Sequence, residues 1–208
     1  MFLYRVPTFV QWIYPGYVWH MDRSEQTVYL TFDDGPVVGI TDFVLDVLSE
    51  MNVKATFFMV GDNVLKNLPL ARRIITEGHQ VGNHTFNHLN GRSTSLKRYL
   101  ENVAQCQRVI EDHLGVKTDL FRPPYGRLSK HQRMQLSKSY RIFMWEILAG
   151  DFVTGISESK SLKKISQKTQ NGSIILFHDQ QKTAEFVKGV LPGYLNFLEG
   201  ARFKTEPL

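Results

Sequence analysis

The chain has 208 residues, 42% of them hydrophobic and 12% aromatic, enough to bury the core of one ordinary domain without metal or disulfide staples. Cys106 is the only cysteine, which excludes an intrachain disulfide. The formal net charge of +5 favours anionic polymers only mildly, and no aromatic-studded basic motif points to nucleic acid.

Residues 1–26 are rich in aromatics, but Arg5, Pro7 and Pro15 interrupt the run before it reaches membrane-spanning length. A secretory signal would need a basic start, an unbroken apolar stretch and a small-residue cleavage site, and only fragments of these are present. The segment is therefore expected to pack over a single domain of residues 27–208. A peripheral membrane contact through Trp12, Tyr14, Tyr17 and Trp19 is the lesser alternative. Localisation stays open between the cytoplasm and the cell envelope.

Residues 27–32 are β-branched and aromatic and run into Gly35-Pro36, the pattern of a buried strand ending in a turn. Phe43, Val44, Val47, Leu48 and Met51 then mark one face of a helix over 41–51, followed by a strand over 55–60. A helix over 68–77 stops at Gly78 before a short strand over 80–82. The longest helix is predicted over 95–114, capped by Thr94 or Ser95 and ended by Gly115, with Leu120 and Phe121 beyond it. Helix near 130–138, strand 140–147, helix near 158–170 and strand 173–177 repeat the pattern. A last helix over 184–198 and a short strand over 202–205 complete it, and Lys160, Lys163, Lys164 and Lys168 read as a solvated helix face.

About seven alternating strand and helix units call for a parallel sheet with helical crossovers. The expected fold is α/β, a distorted (β/α)7 parallel barrel in one domain, closed or incomplete, with an open doubly wound sheet as the runner-up. In such a barrel the C-terminal strand ends share one mouth, so Asp34, His84, Arg122, Asp151 and His178 are expected to converge.

Those residue types suit a divalent ion, which takes imidazole nitrogen with carboxylate oxygen and keeps a position free for water. His84 and His88 in GNHTFNH have the separation that would bring both onto one side of a helical turn. Asp33 and Asp34 in TFDDGP would point to opposite faces of a regular strand, but the Gly35-Pro36 turn lets both enter the mouth. His178 could serve catalysis or simply bond Asp179 or backbone, and Arg122, fixed ahead of Pro123 and Pro124, could pair with Asp33 or a neighbouring acid.

Taken together, TFDDGP, HTFNH, RPPYG, the WEILAGDF region and LFHD resemble the NodB-type polysaccharide deacetylases, carbohydrate esterase family four. The motifs occur in the family's order from Thr31 to Asp179. The resemblance implies a distorted parallel barrel and a metal-dependent hydrolase acting on N-acetylated glycans, peptidoglycan-like or chitin-like. It makes Asp33 the catalytic base and His178 the catalytic acid, and Asp34, His84 and His88 the metal ligands. Arg122 would steer the base, the Tyr125 N–H would help hold the oxyanion, and Leu176 would wall the acetyl pocket with Phe152 and Pro123 beside the sugar. Zinc is the default ion, with cobalt, nickel and manganese as alternatives. In WEILAGDF, Leu148 and Phe152 replace an acid and a tryptophan of the family pattern, leaving Asp151 as the acid expected to tune His178. A hydrolase of a related non-sugar amide and a glycan-binding module without turnover are the rival readings.

Overall fold

In the computed structural model, which describes residues 2–208, a short helix α1 (Thr8–Ile13) precedes an alternation of strands and helices. β1 (Thr27–Asp33), α2 (Thr41–Glu50), β2 (Thr56–Met59), α3 (Gly61–Lys66), α4 (Leu68–Thr76), β3 (Gln80–Asn83), α5 (Leu96–Leu114) and β4 (Leu120–Phe121) form the first half. α6 (Lys130–Leu136), β5 (Arg141–Ile142), β6 (Ile147–Leu148), α7 (Glu158–Lys168), β7 (Ile174–His178), α8 (Ala184–Gly200) and β8 (Lys204–Thr205) complete it.

The strands run in the order β5-β4-β3-β2-β1-β7-β6, every pair parallel, with β8 adding to β1. That order descends through the chain and wraps round once, as in a barrel; a doubly wound sheet would reverse direction at a switch point. The sheet is a curled parallel half-barrel flanked by helices, so the distorted barrel expected from the sequence is the fold, and the open doubly wound sheet is not.

One expected element breaks in two. The strand predicted over 140–147 begins as β5 beside β4 and ends as β6 beside β7. Phe143 N–H still reaches Phe121 O, whereas Glu146 N–H reaches Ile174 O, so residues 143–146 cross from one edge of the sheet to the other. A run of alternating apolar residues does not reveal that its two halves have different partners.

α3 was not expected: it begins at Gly61 and is only six residues long, too short to show helical periodicity. Elsewhere the predicted punctuation holds. Gly115 ends α5 with φ of 68°, and Ser95 occupies the N-cap position, although its side chain makes no capping hydrogen bond.

Alternation along the strands separates two environments. Phe32, Phe57 and Phe177 stack at centroid distances of 5.1 and 5.8 Å on the helix-facing side, among buried Leu30, Ile175, Val187 and Leu191. Thr31 and Asp33 point the other way, into the curl, where Phe58, Arg122 and Leu176 also lie buried.

Residues 4–20 run along the strand segment 142–148. Leu148 N–H donates to Tyr4 O and Val6 N–H to Glu146 O, while Val18 bridges to Phe143 in parallel. Glu146, fully buried, pairs with Arg5 at 2.6 Å and Arg23 at 2.9 Å, fastening both ends of the segment to one carboxylate. Of the four aromatics named for membrane contact, Trp19 is buried with its indole N–H on Tyr14 O, and Tyr17 is half-buried between Tyr14 and Trp19, leaving Trp12 and Tyr14 exposed.

Candidate functional site

Parallel register places the first pair of groups. Asp33 and His178 are direct partners on neighbouring strands β1 and β7, so their side chains leave the sheet on the same side at its C-terminal rim. Asp34 would then face away, but its φ of 83° turns the chain and both carboxylates line one cavity. Holding a residue other than glycine in the left-handed region costs energy, and of six such residues among those described, four, Asp34, Thr85, His88 and Tyr125, lie in or beside this cavity.

His84 and His88 reach it by a route different from the helical one expected. Residues 84–90 form no helix. The loop is bent by left-handed Thr85 and His88 and held by side chains: Asn83 Oδ1 accepts Thr85 N–H, and Asn102 Oδ1 accepts Phe86 and Asn87 N–H. Both imidazoles nevertheless converge, with His88 Nε2 2.9 Å and His84 Nε2 3.5 Å from Asp34 Oδ1.

This trio fits a divalent cation. Asp34 Oδ1 is buried without a hydrogen-bond partner, and one ligand atom from each of the three residues lies within 4.8 Å of the others. His84 Nδ1 is 2.7 Å from Arg122 O, an acceptor that fixes the proton on Nδ1 and leaves the Nε2 lone pair facing the site. Burial alone would raise the Asp34 carboxyl, but the two imidazoles outweigh it and hold the group well below the ordinary carboxylate range. Gln180, which sequence reasoning did not single out, donates from Nε2 to Asp34 Oδ2 at 2.6 Å. Its position two residues past His178 was the available signal.

Arg122 is fully buried beneath Asp33, with its guanidinium 4.1 Å from the centre of the Phe58 ring. One terminal nitrogen donates to Asp33 Oδ1 at 2.7 Å and Thr31 Oγ1 at 2.8 Å, the other to Met144 O at 2.7 Å. Of the two partners open to it in the sequence, Arg122 takes Asp33. The fork leaves Asp33 Oδ2, 3.8 Å from His84 Nε2, on the side of the trio.

Across the cavity, Asp151 Oδ1 lies 3.0 Å from His178 Nδ1, and Asp151 Oδ2 accepts the His178 backbone N–H at 2.6 Å. Burial would lower the imidazole's pKa, but the Asp151 charge outweighs it and raises the value to about 9. Asp179, named in the sequence as a partner for His178, points elsewhere: it bonds Gly35 N–H and the Thr41 hydroxyl. Leu148, where the family pattern has an acid, is apolar lining.

The cavity measures about 340 Å³, within the range of small-ligand sites. Leu148, Leu176, Trp145 and Phe152 supply apolar lining, and Tyr125, Arg127 and Lys182 stand at its edge with Gln180. Phe152 lies edge-on to His178 at 5.4 Å. Tyr125 has φ of 61° in the first turn of a three-residue 3-10 helix, where N–H groups have no upstream partner within the helix. Pro123 does not line the cavity: it is buried, and its extended backbone leads into that turn.

A sequence profile described as polysaccharide deacetylase matches residues 20–141. The chain is 30% identical over 198 residues to a peptidoglycan-N-acetylglucosamine deacetylase of Bacillus cereus, covering 92% of this chain and 71% of that one. It is 34% identical over 164 residues to the peptidoglycan-N-acetylglucosamine deacetylase PgdA of Listeria monocytogenes, covering 77% of this chain but spanning only 34% of that protein. The crystal structure of the Bc1960 peptidoglycan N-acetylglucosamine deacetylase, in complex with an N-hydroxybenzamide, superposes with a TM-score of 0.90 at 27% identity over 98% of this chain and 95% of that one. Profile, relatives and fold agree with the motifs on the cavity wall: the chain belongs to the polysaccharide deacetylase family.

Proposed function

We propose that the protein is a metal-dependent hydrolase that removes N-acetyl groups from glucosamine-type sugars of a peptidoglycan-like glycan. The observation that carries the reading is the pairing of two proton-handling groups, each held by a buried partner, on either side of the Asp34, His84 and His88 trio. The names of the relatives favour peptidoglycan over chitin-like polymers as the substrate.

A divalent ion held by Asp34, His84 and His88 would supply Lewis acidity at the acetyl carbonyl, and zinc suits a set of two imidazoles and one carboxylate. Asp33 Oδ2 takes the proton of the attacking water while Arg122 keeps Oδ1 fixed. The Tyr125 N–H donates to the oxygen that gains charge as the carbonyl becomes tetrahedral. His178, protonated through its contact with Asp151, gives its proton to the departing nitrogen as the carbon–nitrogen bond breaks, yielding acetate and a free amine. Leu148, Leu176 and Trp145 offer the acetyl methyl an apolar wall that also excludes competing water.

Acetate release from N-acetylglucosamine oligomers and peptidoglycan fragments, measured with zinc-loaded wild type and with Asp33→Asn, tests this. Release by wild type and loss of it in the variant are expected. Release confined to simple non-sugar amides would transfer the activity to that class. Glycan binding without any release would reduce the protein to a binding module.

A further inference from the structure

The segment fastened along residues 142–148 presents a surface that neither its own packing nor the catalytic site uses. α1 buries none of its six residues. Phe9, Trp12 and Ile13, spaced i, i+3 and i+4 on one face, are 60%, 77% and 63% exposed, and Leu3 is also exposed. What holds the segment lies elsewhere, in Arg5 and Arg23 on Glu146, the backbone bonds to β6, and buried Tyr4 and Trp19. Those exposed side chains have no structural work to do.

Beside the start of this segment, Leu3 included, runs a row of cations. Lys160, Lys164 and Lys168 repeat every four residues along α7 and, with residues 2–8, line a groove of about 750 Å³. Among the described residues none of the three forms an ion pair. An exposed apolar segment with a protruding tryptophan, whose first residues border a lysine row, matches an anionic bilayer: the apolar side chains enter the headgroup and acyl boundary while the ammonium groups meet lipid phosphates. Pairing with a second copy fits less well, because a two-fold contact would set the lysine rows against each other in a chain already carrying +5.

We propose that the face formed by Leu3, Phe9, Trp12 and Ile13 together with Lys160, Lys164 and Lys168 docks the protein on an anionic lipid surface. Phe2, next to this face, packs edge-on against Phe152, which packs against His178, so the docked segment leads directly to the rim of the catalytic cavity.

Co-sedimentation of the full chain with vesicles decides the matter. Binding to vesicles of equal parts phosphatidylglycerol and phosphatidylcholine should exceed binding to phosphatidylcholine alone by at least about tenfold at low salt. Lys160→Ala, Lys164→Ala and Lys168→Ala combined should weaken it on the order of a hundredfold, about fivefold per lysine. Phe9→Ser, Trp12→Ser and Ile13→Ser combined should abolish it, and both triple variants should keep the wild-type melting temperature because every replaced side chain is exposed. Absence of binding to the mixed vesicles overturns the proposal. So does binding that survives the serine variant but fails in the alanine one and is matched by soluble polyphosphate, since that describes a polymer site. A dimer in sedimentation velocity that Trp12→Ser dissociates overturns it in favour of self-association.

Discussion

Asp179 Oδ1 accepts the backbone N–H of Gly35 at 3.0 Å, and Asp179 Oδ2 occupies the space that a Cβ on residue 35 would need. The Thr41 hydroxyl completes the arrangement, 2.5 Å from Asp179 Oδ2 and accepting Val37 N–H at 2.8 Å. The turn that carries Asp33 and Asp34 is thus tied to the end of β7. Gly35 is required there for close approach, since its φ is not left-handed.

Gly35→Ala should therefore disturb both stability and metal binding. Overpacking against a fixed group costs about 1–3 kcal/mol, and a buried carboxyl group held by two hydrogen bonds has little room to retreat. Calorimetric melting should fall accordingly, and zinc affinity should drop because Asp34 is adjacent. Asp179→Asn, which keeps an acceptor for Gly35 N–H but turns an amide NH2 toward the Thr41 hydroxyl, should melt closer to wild type than Asp179→Ala, which leaves the Gly35 N–H unpaired at about 1–3 kcal/mol. Wild-type melting and zinc affinity in Gly35→Ala would mean the turn has slack.

The pH dependence follows from His178. Its folded-state pKa of about 9 lies above the ordinary 6.5, so its contribution to stability is complete below about 6.5 and is lost as pH rises through 9. Activity should share the upper limit, because the neutral imidazole has no proton to give the leaving nitrogen. In Asp151→Asn burial acts without its main opponent, and the alkaline limb of kcat should move to lower pH. An unmoved limb would detach it from the His178 and Asp151 pair.

Much of this was legible in the sequence, and the exceptions have physical causes. Strand–helix alternation gives the barrel order, and residues at C-terminal strand ends converge because parallel strands finish at one rim; Asp33 beside His178 is the clearest case. His84 and His88 converge as expected but through left-handed loop backbone, because spacing of four also arises when a loop folds back. The split of the strand over 140–147, and the bond from Thr41 to Asp179 across 138 positions, depend on partners that local pattern does not encode.

Arg122 offers a sharper test of Asp33 as the proposed base. Its guanidinium serves three acceptors in full burial, which an ammonium on a flexible stem cannot reproduce. Arg122→Met leaves Asp33 buried without its partner, and breaking a buried pair in this way typically costs about 3–5 kcal/mol. Arg122→Lys should retain part of that stability yet lose most of kcat, with KM little changed. Equal kcat in Arg122→Lys would show that the position of Asp33 does not depend on the fork.

Metal removal should separate the proposed ligands from their support. Chelation should abolish acetate release and zinc should restore it, while His88→Ala should reduce zinc affinity by orders of magnitude in isothermal titration. Gln180→Ala leaves the trio intact but frees Asp34 Oδ2, and loss of such an outer partner typically costs about 10–100-fold in metal affinity. Unaltered affinity in Gln180→Ala would make that contact incidental.

Glu146 holds the N-terminal segment by a different balance. Burial would raise its carboxyl, but Arg23, Ser173 and Arg5 outweigh that and lower it below the usual glutamate value. Arg5 and Arg23 are each about one-third exposed, so water screens their attraction and each pair contributes only up to about 1 kcal/mol. Glu146→Gln keeps an acceptor for the Ser173 hydroxyl while removing the charge that both arginines share. The expected result is local: protease cleavage within residues 5–23 should accelerate roughly tenfold, as partial loss of two such pairs would allow. Melting of the barrel should shift far less, because β1 to β4 and β7 do not depend on this carboxylate. If cleavage stays slow, the backbone bonds to β6 and the burial of Tyr4 and Trp19 are what keep the segment in place.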